Sequence, residues 1–89
     1  MELRIAALTI IVEQRDSVQA LNTTLHAFSE YIIGRFGLPY RERGVNIICV
    51  VLEAPQDQIN ALTGKIGRLP GVSAKATYSN IITKLEDES

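Results

Sequence analysis

Apolar residues along the chain fall into two kinds of stretch. Some are short and alternating or unbroken, and others recur every three to four positions. "RIAALTIIVE" (Arg4–Glu13) is short, β-branched and closed by polar residues, the pattern of a buried strand. In "QRDSVQALNTTLHAFSEYIIGRFG", Val18, Leu21, Leu25, Phe28, Ile32 and Phe36 draw one apolar stripe at three- and four-residue steps. The spacing predicts a helix capped by the side-chain oxygen of Asp16 or Ser17 and stopped by Gly34 and Gly37. "LPYRERGVNIICVVLEA" predicts a hairpin, with a short strand Leu38–Arg41 kept to an edge by Pro39, a turn near Glu42–Gly44 and a long strand Val45–Glu53. "APQDQINALTGKIGRL" predicts a second helix, with Pro55 in its first turn and Ile59, Leu62, Ile66 and Leu69 on its buried side. "VSAKATYS" alternates Val72, Ala74, Ala76 and Tyr78 with Ser73, Lys75, Thr77 and Ser79, a strand with one wet face.

The order βαββαβ is that of a ferredoxin-like α+β domain: a four-stranded antiparallel sheet with two helices on one face. It occupies residues 1–80, and an acidic tail over 81–89 is expected to fray, unless Ile81 and Ile82 find a pairing. Two strands, however, are apolar on both sides. Ala6, Leu8, Ile10 and Val12 point one way, and Leu3, Ile5, Ala7 and Ile11 the other; Val45, Ile47, Cys49 and Val51 likewise oppose Ile48, Val50 and Leu52. Two helices cover only one face, and the other would leave a larger apolar patch than monomers carry. The pattern therefore predicts a homo-oligomer, a dimer at least, packed through the sheet face or the strand edges.

Composition narrows the picture further. The 89 residues are 46% hydrophobic and carry a net charge of −1, so no overall basic field draws the chain to nucleic acid. Basic residues do gather at Arg35, Arg41 and Arg43, and at Lys65, Arg68 and Lys75. The one cysteine, Cys49, precludes an internal disulfide and sits among aliphatic residues as a small hydrophobe. The apolar run near the start, roughly ten residues, is too short to span a bilayer. A cytoplasmic, membrane-free protein is the default expectation.

Three features invite a chemical reading. "ALTGKIG" contains the Gly-Lys pair of a phosphate loop, but Ile59 stands where the first glycine belongs and Ile66 where the Ser/Thr belongs. Lys65 also falls late in a helix, at its negative end, so no nucleotide cofactor is expected. "RLPGV" reads instead as a helix end with Gly71 in the left-handed conformation. His26, the only histidine, lies four residues before Glu30. It is a boundary residue, an effector contact or half of an intersubunit metal site, since one histidine and one carboxylate make no site alone. Ser29 lies three residues from His26, without the third group and oxyanion donors an acyl-transfer site requires, so no catalytic residue is assigned. "GRFGLPYRERG" clusters Arg35, Arg41, Glu42 and Arg43, either as a salt-bridged hairpin or as an anion pocket at a subunit interface.

Taken together, the residues resemble a known family. His26, Phe28, Ser29 and Glu30; Arg35, Gly37, Pro39, Arg41 and Glu42; Ala61, Leu62, Gly64, Lys65 and Gly67; and the closing Gly71-Val72 match the pattern of the iron-only hydrogenase system regulators. The resemblance implies an ACT-like, oligomeric regulatory domain. The chain is also similar, more distantly, to the carboxy-terminal domain of nickel-responsive repressors. At the metal-ligand positions of those repressors this chain has Gly37, Pro39 and Val45, none of which ligates, and Cys49 falls on another rung. With the first core strand at the start of the sequence, no counterpart of the DNA-binding segment that opens those repressors is expected.

The expectation is thus a non-enzymatic regulatory domain that binds a small effector or a protein partner, with His26, Ser29, Glu30, Arg35, Arg41 and Glu42 as candidate ligand contacts and no resident metal or cofactor. The alternatives are an oligomer-built nucleic-acid surface of Arg41, Arg43, Lys65, Arg68 and Lys75, and a metal sensor with His26 at a subunit boundary. A direct DNA contact is the less expected of these outcomes.

Overall fold

The first strand, β1 (Glu2–Val12), buries Ala6, Leu8, Ile10 and Val12 on one side and leaves Ile5, Ala7, Thr9 and Ile11 on the other, as strict alternation requires. The computed structural model describes residues 1–85 of the chain. After β1 come α1 (Val18–Ala27), β2 (Ile32–Tyr40), β3 (Val45–Ala54), α2 (Gln56–Gly67) and β4 (Val72–Lys84), with short 3-10 turns at Arg15–Ser17, Ser29–Tyr31 and Arg41–Arg43. The four strands form one sheet in the order β2-β3-β1-β4, and every neighbouring pair is antiparallel. This is the ferredoxin-like, ACT-like arrangement.

The core lies between the sheet and the helices. Leu8, Ile10, Val50 and Leu52 from the sheet meet Leu21 and Leu25 of α1 and Ile59, Leu62 and Ile66 of α2, all of them buried. Each such side chain contributes about 1.5–3 kcal/mol through burial. Leu69 packs against the same cluster while remaining partly exposed.

The first helix is shorter than its stripe suggests. α1 ends at Ala27, and Ile32 and Phe36 belong to β2, which begins six positions before the expected Leu38. A four-residue spacing fits both a helical turn and two strand repeats, so Ile32 and Phe36 satisfy either period. The β-branched Ile32-Ile33 pair and the glycines at 34 and 37 disfavour helix. Pairing with β3, Phe36 opposite Cys49 and Leu38 opposite Ile47, satisfies their backbone instead. A register shift between Ile32 and Gly34 sets Ile33 off from the ladder, where it is 65% exposed. Arg41 falls in the turn rather than the strand, and Gly44 closes that turn at φ 65°, a conformation glycine adopts without strain.

Two end regions also differ from expectation. Ser17 makes no capping bond to an α1 amide; it is buried, and its hydroxyl donates to the Pro70 carbonyl at 2.6 Å. Beside it the Glu13 amide donates to the Gly71 carbonyl at 2.7 Å. These bonds tie the β1–α1 connection to the α2–β4 connection. Gly71 itself sits at φ 68°, as its place after a helix predicts. At the other end β4 continues through Lys84, opposite Glu2, so Ile81 and Ile82 lie in a strand and not in a frayed tail. A bulge in β4 sets Ser79–Ile81 opposite the single residue Ile5 of β1, between the pairs Arg4–Ile82 and Ala6–Tyr78. There the Arg4 guanidinium lies over the Tyr78 ring, 5.1 Å from its centroid, and donates to the Ser79 carbonyl. The remainder of the acidic tail, 86–89, lies outside the described residues.

Candidate functional site

β2 is an edge strand, and α1 stops after ten residues, so the helix-side surface between them stays open. Asn22 and His26 stand one turn apart on α1, and Ser29 follows in the short turn that hands the chain to β2. Arg35 and Ile32 on β2 face them across the gap. Asn22, Leu25, His26, Ser29, Ile32 and Arg35 line a cleft of about 290 Å³. It continues past Arg35 into a second hollow of about 240 Å³ floored by Val18 and Ile48. Across the gap an Arg35 Nη2 hydrogen donates to Asn22 Oδ1 at 3.2 Å. A neutral amide thus orients the guanidinium without neutralising it.

Arginines supply the formal charge along the groove. Arg15 and His26 border its outer, shallow end on α1. Arg15 also lines, with Arg41, a depression of about 380 Å³ at the β2–β3 turn. No carboxylate lines any of these hollows. Among the described residues no arginine is held in an ion pair. The salt-bridged hairpin considered for Arg35, Arg41, Glu42 and Arg43 is therefore not what forms: these side chains are exposed, and Arg35 turns to Asn22 instead.

Of the six candidate contacts, the structure brings His26, Ser29 and Arg35 to one cleft and places Arg41 in the neighbouring depression. Glu30 and Glu42 are exposed and line neither. Two residues on the groove were not singled out from sequence, Arg15 and Asn22. Asn22 was within reach of inspection, because it precedes His26 by four positions and so shares its helix face. Arg15 was not, since it reaches the turn beyond β2 only through the fold. No helix among the described residues is long and apolar enough to cross a membrane. Among those residues no three His, Cys, Asp or Glu side chains cluster as a metal site.

The Gly-Lys motif has a different local role. Lys65 is in the last turn of α2, its Nζ 5.3 Å from the centroid of the Phe28 ring at the end of α1. Such a contact contributes about 0.5–1 kcal/mol at an exposed site. It fastens the end of one helix to the other.

A family model described as "TM1266-like: Iron-only hydrogenase system regulator, putative" matches residues 4–76, which include the whole groove. The chain belongs to this family. It is also 40% identical to an uncharacterised protein, TM1266, from Thermotoga maritima, with a TM-score of 0.82 over 85% of this chain and 96% of that one. A formyltetrahydrofolate deformylase from Pseudomonas putida KT2440 superposes with a TM-score of 0.63 at 18% identity, over 86% of this chain and 29% of its own. An unknown protein from Galdieria sulphuraria does so at 0.66 and 10% identity, over 91% of this chain and 48% of its own. At such identities the last two share the fold alone. No curated protein matches the sequence. The family match ends within β4, so the bulge and the last strand residues lie beyond it.

Proposed function

We propose that this family member is a non-enzymatic, cytoplasmic regulatory domain that acts as a homo-oligomer and binds a small anionic effector in the groove between α1 and β2. The observation that carries the reading is the uncompensated charge of that groove. Arg35 is oriented by a neutral amide, and Arg15 and Arg41 continue the cationic border with no carboxylate among the lining residues. A guanidinium held in place offers paired donors to a carboxylate or phosphate. The apolar floor of Val18 and Ile48 suits an anion that also carries an apolar body. His26 and Ser29 supply the remaining polar contacts at the α1 end.

A thermal-shift panel of small carboxylates and phosphates, run on the wild-type chain and on Arg35→Gln, tests this reading. One class of anion should raise the wild-type Tm and lose that effect in the variant, whose circular dichroism stays unchanged. A flat response across the panel, or equal shifts in both proteins, would count decisively against the groove as an effector site.

A further inference from the structure

The face of the sheet turned away from the helices is graded from one edge to the other. Register alone shows this. Read from β2 to β4, one row runs Phe36, Cys49, Thr9, Lys75; the next runs Leu38, Ile47, Ile11, Ser73; a third runs Gly34, Val51, Ala7, Thr77. Each row begins apolar and ends polar. The apolar side carries large side chains open to solvent: Phe36 stands 66% open, Leu38 50%, Tyr40 46% and Ile11 38%. Among the described residues the only carboxylate in the ladder on this face is Glu53, and it already accepts a hydrogen bond from Thr83 at 2.6 Å.

We propose that a second copy of this chain covers the β2–β3–β1 part of the face about a two-fold axis parallel to the strands and passing close to Cys49. This rests on the homo-oligomer reading above and adds its geometry. In the aligned class of face-to-face packing two sheets keep their strands within about 30° of each other. A two-fold axis in the plane between them then lies either across the strands or along them. Across the strands, β4 falls on β4, and Lys75 of each copy is buried near its counterpart with no free carboxylate to offset either ammonium. Burying two like charges together is strongly unfavourable. Along the strands and over β3, the strand order reverses. β2 then covers β1 of the other copy, β3 covers β3, and the polar ledge of Ser73, Lys75 and Thr77 overhangs into water.

The size of the strip sets the strength. Three strands about 4.8 Å apart, each offering four or five alternate residues about 6.8 Å apart, give a footprint on the order of 400 Å² per copy. The pair then buries about 800 Å² in total, below the roughly 1,200 Å² at which stable specific interfaces begin, so the dimer is a weak one that dilution separates.

Cys49 is the built-in reporter. The full chain is treated with a short-spacer bis-maleimide at high concentration, beside Cys49→Ser and the double variant C49S/K75C, while analytical ultracentrifugation records the oligomeric state of each. The expected result is a covalent dimer through Cys49, none for Cys49→Ser, and none for C49S/K75C although that variant still sediments as a dimer. Efficient crosslinking of C49S/K75C would overturn the axis and favour the crossed arrangement. A sedimenting dimer that Cys49 does not crosslink would overturn the face itself in favour of a strand edge. A monomer at every concentration would remove the homo-oligomer reading along with this one.

Discussion

The hydroxyl of Ser17 donates to the carbonyl of Pro70 at 2.6 Å, joining two connections that lie 53 positions apart in the chain. Both connections sit at the same end of β1, where the Glu13 amide also reaches the Gly71 carbonyl. A buried serine placed where a helix cap was expected thus works across the fold, not along the helix. Ser17→Ala removes this bond and lowers stability by about 1 kcal/mol, the usual net value of one intramolecular hydrogen bond. Urea unfolding checks it. An unchanged midpoint would show that water replaces the serine without cost.

Gly71 is the more severe site. Its φ of 68° already penalises any side chain, and a Cβ added there would run into the side chain of Gln14. Gly71→Ala should cost about 1–2 kcal/mol from the backbone alone, with the clash adding to it. In a double-mutant cycle, Gln14→Ala should recover only part of the steric cost, because the retained Cβ of residue 14 still lies 2.8 Å from the added methyl, and should leave the conformational part. Full additivity of the two substitutions would show that the side chains do not meet.

Leu62 on α2 is fully buried against the sheet. Leu62→Ala should destabilise by about 2–5 kcal/mol, transfer and cavity together. For a domain of this size that is a large share of a total of about 5–15 kcal/mol. The variant therefore tests the core assignment by thermal melting. Leu38→Ser provides the contrast: Leu38 is half-exposed on the open sheet face, so this variant should melt close to wild type at dilution while dimerising less in sedimentation.

Lys65→Met removes the charge that rests over Phe28. Stability should fall by no more than about 1 kcal/mol, the worth of an exposed cation–π contact. Calorimetric titration with ATP should show no binding to either protein. Wild-type ATP binding that the substitution abolishes would restore the phosphate-loop interpretation of "TGKIG" that the helical setting argues against.

Much of the architecture was legible because it rests on local periodicity. The alternation in β1 and β3 identified both faces of the sheet, and the stripe Ile59, Leu62, Ile66 identified the buried side of α2. Ile32 and Phe36 misled for the same reason, since their spacing obeys both periods and only pairing with β3 chooses between them. Within the groove, His26, Ser29 and Arg35 were identifiable as polar residues of the right chemistry near one another in the chain. That Glu30 and Glu42 lie off it while Arg15 borders it depends on the path of the turns at both ends of β2.

By itself, then, the sequence determined the strands β1 and β3, which of their residues face the helices, and that an apolar surface is left over, because side-chain alternation is a property of a single strand. Pro39 marked β2 as an edge strand, but only the tertiary structure set β4 at the opposite edge and fixed the register across all four strands. That placement puts Phe36 and Lys75 at the two ends of one row and leaves Arg35 beside Asn22 above an open groove. The reason is physical: strand order and register arise from hydrogen bonds between segments far apart in the chain, and no local pattern records them.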